Sequence, residues 1–304
     1  VGSNVYVQVF ESTRGLKVGA EAEFTGHMLE VTLGPGMLSK NYDGLQNDLD
    51  KMDGVFLKRG QYTYPLDKER VWHFVPLVKV GDEVGPSAWL GQVDENFQPL
   101  KIMVPFQLTG TYKVKSIVPE GDYTIEDTVV VLTDREGKDI PVNMIQKWPV
   151  KKAMTNYKEK PRPYKLLETG VRVIDTVNPI VEGGTGFIPG PFGTGKTVLQ
   201  HAISKQAEAD IVIIAACGER ANEVVEIFTE FPELVDPHTG RKLMERTIII
   251  ANTSNMPVAA REASVYTAMT ISEYYRAMGL KVLLMADSTS RWAQALREMS
   301  NRME

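Results

Sequence analysis

The stretch GPFGTGKT occupies residues 190–197 and decides how the second half of the chain is interpreted. It fits the pattern G-x-x-x-x-G-K-[ST], with Gly190, Gly195, Lys196 and Thr197 at the fixed positions. Glycines let the backbone curl until successive N–H groups point at phosphate oxygens, and the following helix adds the positive end of its dipole. The stretch therefore predicts a phosphate-binding loop in preference to a chance glycine-rich turn.

The segments on either side of this loop suit the same prediction. TGFIP at 185–189 is predicted to be a strand, and VLQHAISKQAEA at 198–209 a helix. We expect Lys196 to reach the β- and γ-phosphates and the Thr197 hydroxyl to bind Mg²⁺. The residues expected to surround the nucleotide are Gly190, Pro191, Phe192, Gly193, Thr194, Gly195, Lys196, Thr197 and Val198.

Three short apolar runs set the fold class of this half. IVIIAAC at 211–217, TIIIA at 247–251 and VLLMAD at 282–287 are typical of parallel strands buried on both faces. Helical segments lie between them, and one is predicted to begin at Pro257 and to be capped by Gly279. Alternating strands and helices build a doubly wound α/β sheet, which binds ligands at the carboxyl ends of its strands.

Acidic and basic residues follow two of these strands. Asp287 ends the third run, where a phosphate-loop protein places the carboxylate on the Mg²⁺ side; the alternative is a helix-capping aspartate. CGERANE at 217–223 ends the first run, which we expect to lie next to the strand of the phosphate loop. Glu219 is the candidate base, Arg220 can stabilise charge on the phosphoryl group, and Glu223 can touch the water shell of the metal. The alternative is an exposed loop that merely carries charges.

The first half of the chain is β-like. Residues 1–50 predict part of a small N-terminal β-barrel, and 51–150 a β-rich insertion with turn signals every 8–12 residues. The basic, proline-containing stretch 151–165 indicates a linker, and 166–304 form the phosphate-loop domain. We expect the natural protein to continue in both directions, because no initiator Met precedes the first strand-like segment and no Gly or Pro stops the last helix.

Composition excludes several classes of protein. The chain has 304 residues and a formal net charge of −5, which argues against broad nucleic-acid binding. Its one cysteine, Cys217, makes an intrachain disulfide impossible and favours a reducing compartment. No run of 18 apolar residues occurs, so any membrane association is expected to come through partners.

Several motifs, taken together and in order, resemble one family. GPFGTGKT, CGER at 217–220, ANTSNMPVAAREAS at 251–264 and DSTSRWAQALRE at 287–298 resemble the catalytic A subunit of V-type and A-type rotary ATPases, and the PFG of the loop is similar to bacterial and archaeal members. The resemblance covers essentially the whole chain. ATP synthase β subunits and export ATPases lack a long β insertion such as 51–150, which looks like the A-subunit bulge.

The resemblance implies a fold and a set of roles. The fold is an α/β P-loop domain of the RecA-like kind with a mostly parallel sheet, preceded by a β-barrel remnant and by an all-β bulge that resembles a barrel-sandwich carrier domain. Carried over to the matching positions, it implies catalytic roles for Lys196, Glu219, Arg220 and Arg291 and metal-side roles for Thr197, Glu223 and Asp287. For Phe192 it implies an aromatic position in the loop, with packing against a neighbouring subunit as the alternative.

The implied activity is ATP hydrolysis or synthesis with Mg²⁺, coupled to H⁺ or Na⁺ translocation. The implied partners are a non-catalytic B subunit that alternates with A in a hexamer and supplies an arginine finger, the central and peripheral stalks, and indirectly the membrane rotor sector. No nucleic acid is expected. The assembled complex would lie on the cytoplasmic face of the membrane. The alternatives are another hexameric P-loop motor, such as a secretion or flagellar-type ATPase, or a nucleotide-binding subunit without turnover.

Overall fold

A computed structural model describes residues 5, 7, 9–11, 13–52, 62–157, 159–191, 193–254 and 256–303. Its strands are β1 Glu30–Leu33, β2 Asn41–Tyr42, β3 Val71–Pro76, β4 Glu83–Val84, β5 Trp89–Glu95, β6 Gln98–Met103, β7 Tyr112–Ile117, β8 Gly121–Thr124, β9 Val130–Thr133, β10 Asp139–Val142, β11 Gln146–Pro149, β12 Leu166–Leu167, β13 Ile180–Val181, β14 Ile211–Glu219, β15 Thr247–Thr253 and β16 Val282–Asp287. Its α-helices are α1 Arg172–Val177, α2 Lys196–Gln206, α3 Ala221–Glu230, α4 Val258–Ala277 and α5 Thr289–Met303.

The three apolar runs form adjacent strands of a parallel sheet, as predicted. The strand order is β16-β14-β15-β2, and β14 pairs in parallel with both β15 and β16. Every residue of β14 is buried, which explains why that run is apolar without alternation. The predicted α/β domain with a mostly parallel sheet is therefore confirmed.

Helices cover both faces of this sheet. On one face α4 covers the side chains of Ile211, Ile213 and Ala215, and on the other α3 covers Val212 and Ile214. The core on the α4 side is continuous with the core of the β-rich insertion. The strands are therefore fixed from both sides, and their carboxyl ends form a rigid edge for a site.

Helix α4 follows its predicted signals closely. Pro257 is the N-cap residue and not, as predicted, the first helical residue; a missing N–H costs nothing at either position. Ala268, Ile271 and Tyr275 form its buried face, and Gly279 follows the C-cap with a φ of +84°. Among the described helices, none is both long enough and apolar enough to cross a bilayer.

The insertion forms two four-stranded antiparallel sheets, with orders β10-β9-β7-β4 and β6-β5-β3-β8. The β-rich, barrel-sandwich-like insertion is thus confirmed, although residues 53–61 lie outside the described residues. The hairpin between β5 and β6 turns at Asn96 and Phe97, both with positive φ, as tight hairpins require.

This hairpin contacts the parallel-sheet domain. The Asn96 side-chain amide donates to the Ser39 hydroxyl at 3.0 Å and to the Glu245 carbonyl at 2.9 Å. Along the same hairpin, the Trp89 indole donates to the Ala277 carbonyl at 3.2 Å. The contacts lie at the amino end of β15 and the last residue of α4, so the insertion packs away from the carboxyl edge of the sheet.

The segment before the phosphate loop corrects one prediction. Residues 185–189 form no strand; the strand nearest before them is β13, which pairs antiparallel with β12. Gly186 offers no side chain to pack, Pro189 has no N–H for a ladder, and Phe187 is 80% exposed. The prediction that β14 lies next to the strand of the phosphate loop is also wrong, because the neighbours of β14 are β15 and β16.

Residues 1–50 were predicted to be part of a β-barrel, and two of their strands pair elsewhere. Strand β1 pairs antiparallel with β11, at the end of the insertion, and β2 extends the parallel sheet through β15. The barrel assignment is wrong for Asn41 and Tyr42, because the edge of β15 supplies their backbone partners. The described residues before Glu30 form no strand, and the alternating start of the chain lies partly outside the described residues. The division at about residues 50, 150 and 165 stays a prediction.

Gly91→Ala is expected to destabilise the insertion by about 2 kcal/mol, through overpacking. A Cβ at Gly91 would lie 2.1 Å from Cε2 of Phe74, whose ring is fully buried and has no room to move. Urea unfolding of both variants and the wild type measures the loss. Gly85→Ala is the matched control, because its Cβ meets only the Gly110 carbonyl, at 3.9 Å. Equal stability of the two variants would contradict the packing argument.

Candidate functional site

The phosphate loop curls as its glycines allow. Gly193 and Gly195 have φ of +81° and +82°, and an added Cβ at either position would meet no atom within 4 Å. The second of them is the N-cap of α2, and no side chain caps the helix there. The first turn of α2 therefore offers backbone N–H groups and a positive dipole end to an anion.

Hydrogen bonds within the loop also hold its conformation. The Pro191 carbonyl accepts from the Thr194 hydroxyl and from the Lys196 ammonium, both at 2.8 Å. Gly190 approaches the same hydroxyl so closely that an added Cβ would lie 2.5 Å from it. The ammonium is thus held at the loop by a carbonyl of the loop itself, and a phosphate oxygen can replace that carbonyl as its partner.

A hydrogen bond joins the loop helix to the end of β16. The Thr197 hydroxyl donates to Oδ2 of Asp287 at 2.6 Å, although the two residues are 90 positions apart. Asp287 is the last residue of β16 and is buried, so this carboxylate faces the loop helix. The carboxylate therefore lies within hydrogen-bonding distance of the loop helix, and its metal-side role stays a prediction.

Glu219 lies beside this pair. The β14–β15 register shifts between Cys217 and Glu219, and Gly218 at the shift has a φ of +74°. Such a bulge re-aims the next side chain. The Glu219 carboxylate lies 3.7 Å from Nε of Arg291, in the first turn of α5.

The surroundings of Glu219 raise the pKa of its carboxyl group from 4.5 to about 7. Burial is the largest cause, followed by the hydrogen bond with Glu223 and the charge of Asp287, while the charge of Arg291 opposes the rise. A carboxyl group whose pKa lies near neutral pH is suited to accept a proton in catalysis. Three carboxyl groups and one guanidinium therefore converge at the carboxyl edge of β14 and β16.

This donor set fits Mg²⁺. Carboxylate and hydroxyl oxygens are the ligands that this ion takes, and it keeps phosphate oxygens and waters for its other positions. Within the described ranges, no three His, Cys, Asp or Glu side chains are arranged to hold a metal ion. Thr197 and Asp287 would hold it, with Glu223 near its waters.

Two of the predicted site residues have exposed side chains. Arg220 is exposed at the N-cap of α3, and Val198 on α2 is 72% exposed. Phe192 lies outside the described residues. The structure thus brings together Thr197, Glu219, Glu223, Asp287 and Arg291, and keeps Lys196 within its own loop.

The sequence analysis did not single out His201, which lies near the site. This residue follows Thr197 by four positions on α2 and therefore lies on the same helix face, a spacing from which its nearness could have been predicted. Burial lowers its pKa, against the charges of Glu230, Asp287 and Glu226. Its ring makes an edge contact with Phe231, at 5.8 Å between centroids, so packing accounts for its burial.

Comparison with protein families gives three matches in chain order. Residues 1–26 match the beta-barrel domain of the ATP synthase alpha/beta family, and residues 63–151 match the ATP synthase alpha/beta subunit barrel-sandwich domain. Residues 170–304 match the nucleotide-binding domain of the ATP synthase alpha/beta family. Together the matches cover most of the chain, and all three belong to the same family.

Curated relatives match along the whole chain. The V-type ATP synthase alpha chain of Treponema denticola is 60% identical over 306 residues, which cover 100% of this chain and 52% of that relative. The protein of the same name from Borrelia hermsii is 57% identical over 303 residues, which cover 99% of this chain and 52% of that relative. The chain thus spans about half the length of the curated relatives it matches.

Proposed function

This chain belongs to the ATP synthase alpha/beta family, and we propose that it acts as the catalytic subunit of a rotary ATPase that hydrolyses or synthesises ATP with Mg²⁺. One observation supports the proposal: the 2.6 Å hydrogen bond from the Thr197 hydroxyl joins the phosphate loop to Asp287, whose charge acts on Glu219. Loop, metal-side carboxylate and candidate base thereby meet at the carboxyl edge of a parallel sheet, where such folds bind their ligands.

Each side chain has a role that its position supports. Backbone N–H groups at the start of α2 and the Lys196 ammonium hold the β- and γ-phosphates. Bound Mg²⁺ would neutralise charge on the phosphates. Glu219 orients a water molecule toward the γ-phosphate and takes its proton, Arg291 fixes the Glu219 carboxylate, and Arg220 stabilises charge on the phosphoryl group.

Partners and coupling belong to the same proposal. The relatives are named as the alpha chain of a V-type ATP synthase, which supports a place in a multi-subunit complex. Within it, we propose a ring in which this subunit alternates with a B subunit, which supplies an arginine finger. Central and peripheral stalks and a membrane rotor would then couple the reaction to H⁺ or Na⁺ translocation at the cytoplasmic face. The barrel-sandwich match at 63–151 does not favour a secretion or flagellar-type motor, and the presence of Lys196 and Glu219 does not favour a subunit without turnover.

Lys196→Ala is expected to weaken ATP binding at least tenfold. A hydrogen bond to a charged group contributes about 1.5–3 kcal/mol, and roughly 1.4 kcal/mol corresponds to a factor of ten. Titration calorimetry on the full-length subunit assembled into its enzyme measures the change. Lys205→Ala, at the other end of α2, is the matched control. If the Lys196 variant binds Mg-ATP as tightly as the control, the loop assignment is wrong.

A further inference from the structure

Arg261 occupies a position that helix stability does not explain. It lies in the first turn of α4, where a cation opposes the helix dipole. The residue is only 9% exposed, and its Nε has no hydrogen-bond partner among the described residues. Burying an unsatisfied donor costs free energy, so the reason for an arginine here must lie in what the side chain contacts.

The first contact is with the bulge ahead of Glu219. A Cβ placed on Gly218 would lie 2.7 Å from Cδ and 3.1 Å from Nε of Arg261. The arginine side chain therefore lies against bare glycine backbone at the residue where the β14 register shifts. Removing it would leave the bulge unsupported on the α4 side.

The second contact reaches the main chain of Glu219 itself. Nη2 of Arg261 donates to the Ser254 carbonyl at 3.1 Å. The Ser254 N–H in turn donates to the Glu219 carbonyl at 2.9 Å. One guanidinium thus holds the residue that clamps the Glu219 backbone, while its aliphatic part packs on Gly218.

We infer that Arg261 is a positioning residue for Glu219, which it holds through Gly218 on one side and Ser254 on the other. The inference rests on the proposed function, because it gives Arg261 the role of orienting the proposed base, Glu219. The contacts that carry this role are with the main chain of Gly218 and Ser254. Displacement of a reacting group by about 1 Å lowers turnover by roughly 100-fold, so a loosened clamp has a measurable consequence.

The test compares Arg261→Met, which keeps the packing length but cannot donate, with Arg261→Lys, which keeps a donor. Both are made in the full-length subunit assembled into its enzyme. For the Met variant we expect kcat to fall by about 100-fold with KM for ATP nearly unchanged, because the phosphate loop is untouched. The Lys variant should recover most of the loss. Ser272→Ala, a buried position farther along α4, should leave both constants unchanged.

Two outcomes overturn the inference: wild-type kcat in the Met variant, or a loss in KM alone. A second readout does not need turnover. In a cryo-EM structure of assembled Arg261→Met, we expect the bond from Ser254 to the Glu219 carbonyl to be lost and the Glu219 carboxylate to move from its 3.7 Å contact with Arg291. An unmoved Glu219 in this variant overturns the inference, whether or not the wild type hydrolyses ATP. Failure of the wild type to hydrolyse ATP would instead reject the proposed function.

If Arg261→Met does not fold, the Lys variant carries the test. The Lys variant should keep most of the wild-type kcat and an unmoved Glu219. A large loss of kcat with a correctly folded helix α4 overturns the assignment of Ser254 as the arginine's target.

Discussion

Glu219→Gln is expected to lower ATP turnover by about 1,000-fold while ATP binding is retained. Proton transfer by a positioned side chain contributes roughly 100- to 10,000-fold to the rate, and an amide has no basic oxygen to accept the proton. The phosphate loop, which provides the binding contacts, lies on another element and keeps its geometry.

The environment of Glu219 explains why Gln is a clean replacement. The residue is 8% exposed and its carbonyl is held by the Ser254 N–H, so the isosteric side chain enters the same space. Glu223 already shares a hydrogen bond with this carboxyl group, and an amide can donate to it. We therefore expect loss of chemistry without loss of fold.

The measurement is Mg-ATP hydrolysis by the full-length subunit assembled with its partners, with nucleotide binding followed in parallel. Glu226→Gln is the matched control, because it lies on the exposed side of α3 and makes the same chemical change. Near wild-type turnover by the Glu219 variant would show that the base assignment is wrong. A wild type that binds ATP and never turns over would favour the subunit without turnover.

Patterns with one physical cause could be predicted from the sequence. The strands β14, β15 and β16 each contain a short apolar run because both faces of the sheet are covered, and such runs are typical of buried parallel strands. Pro257 and Gly279 bracket α4 because each fits one end of a helix.

Pairing over long distances could not be predicted. Strand β2 has two residues, Asn41 and Tyr42, and joins the sheet only because β15, some 200 positions later, offers an open edge. Residues 185–189 precede the phosphate loop, where a strand was predicted, yet a strand exists only where a partner accepts its hydrogen bonds. Sheet order has no local signal, so the neighbours of β14 were assigned wrongly.

The candidate site shows the same division. Motif spacing indicated Thr197, Glu219 and Asp287 individually, whereas the bulge at Gly218 that brings Glu219 to the others depends on the packing of α4. Arg261 carries no motif signal beyond its place in a long family-like stretch. Contacts of this kind are decided by tertiary packing, which periodicity does not encode.

The second large effect concerns Glu95, a carboxylate buried where the insertion meets the loop at 34–38. It is 1% exposed, and its two oxygens accept from the N–H groups of Gly36 at 2.9 Å and Leu38 at 3.2 Å. Burial raises its pKa from 4.5 to about 7, against the Gly36 hydrogen bond, the charge of Arg70 and the Leu38 hydrogen bond. The folded protein therefore binds this proton more tightly than the unfolded chain does.

The direction of the pH dependence follows from that difference. Below about pH 4.5 the carboxyl group is protonated in both states and its contribution to stability is fully present. Between pH 4.5 and 7 the unfolded chain releases its proton while the folded protein keeps it, so stability falls as the pH rises and levels off above about 7, where the carboxyl group is ionised in both states. The expected loss between pH 4.5 and pH 8 is roughly 3 kcal/mol, from 1.36 kcal/mol for each pKa unit.

Glu95→Gln should remove this dependence, because the amide resembles the protonated acid at every pH. The amide leaves one backbone N–H less well satisfied, which lowers stability by an amount independent of pH. Urea unfolding from pH 4.5 to pH 8 gives the difference between wild type and variant, and that difference should shift in favour of the variant as the pH rises. Glu136→Gln, exposed on the insertion, should run parallel to the wild type. If the stability of the Glu95 variant also ran parallel to that of the wild type across this pH range, the buried carboxyl group would have an ordinary pKa. The contact between the insertion and the loop at 34–38 would then be insensitive to pH.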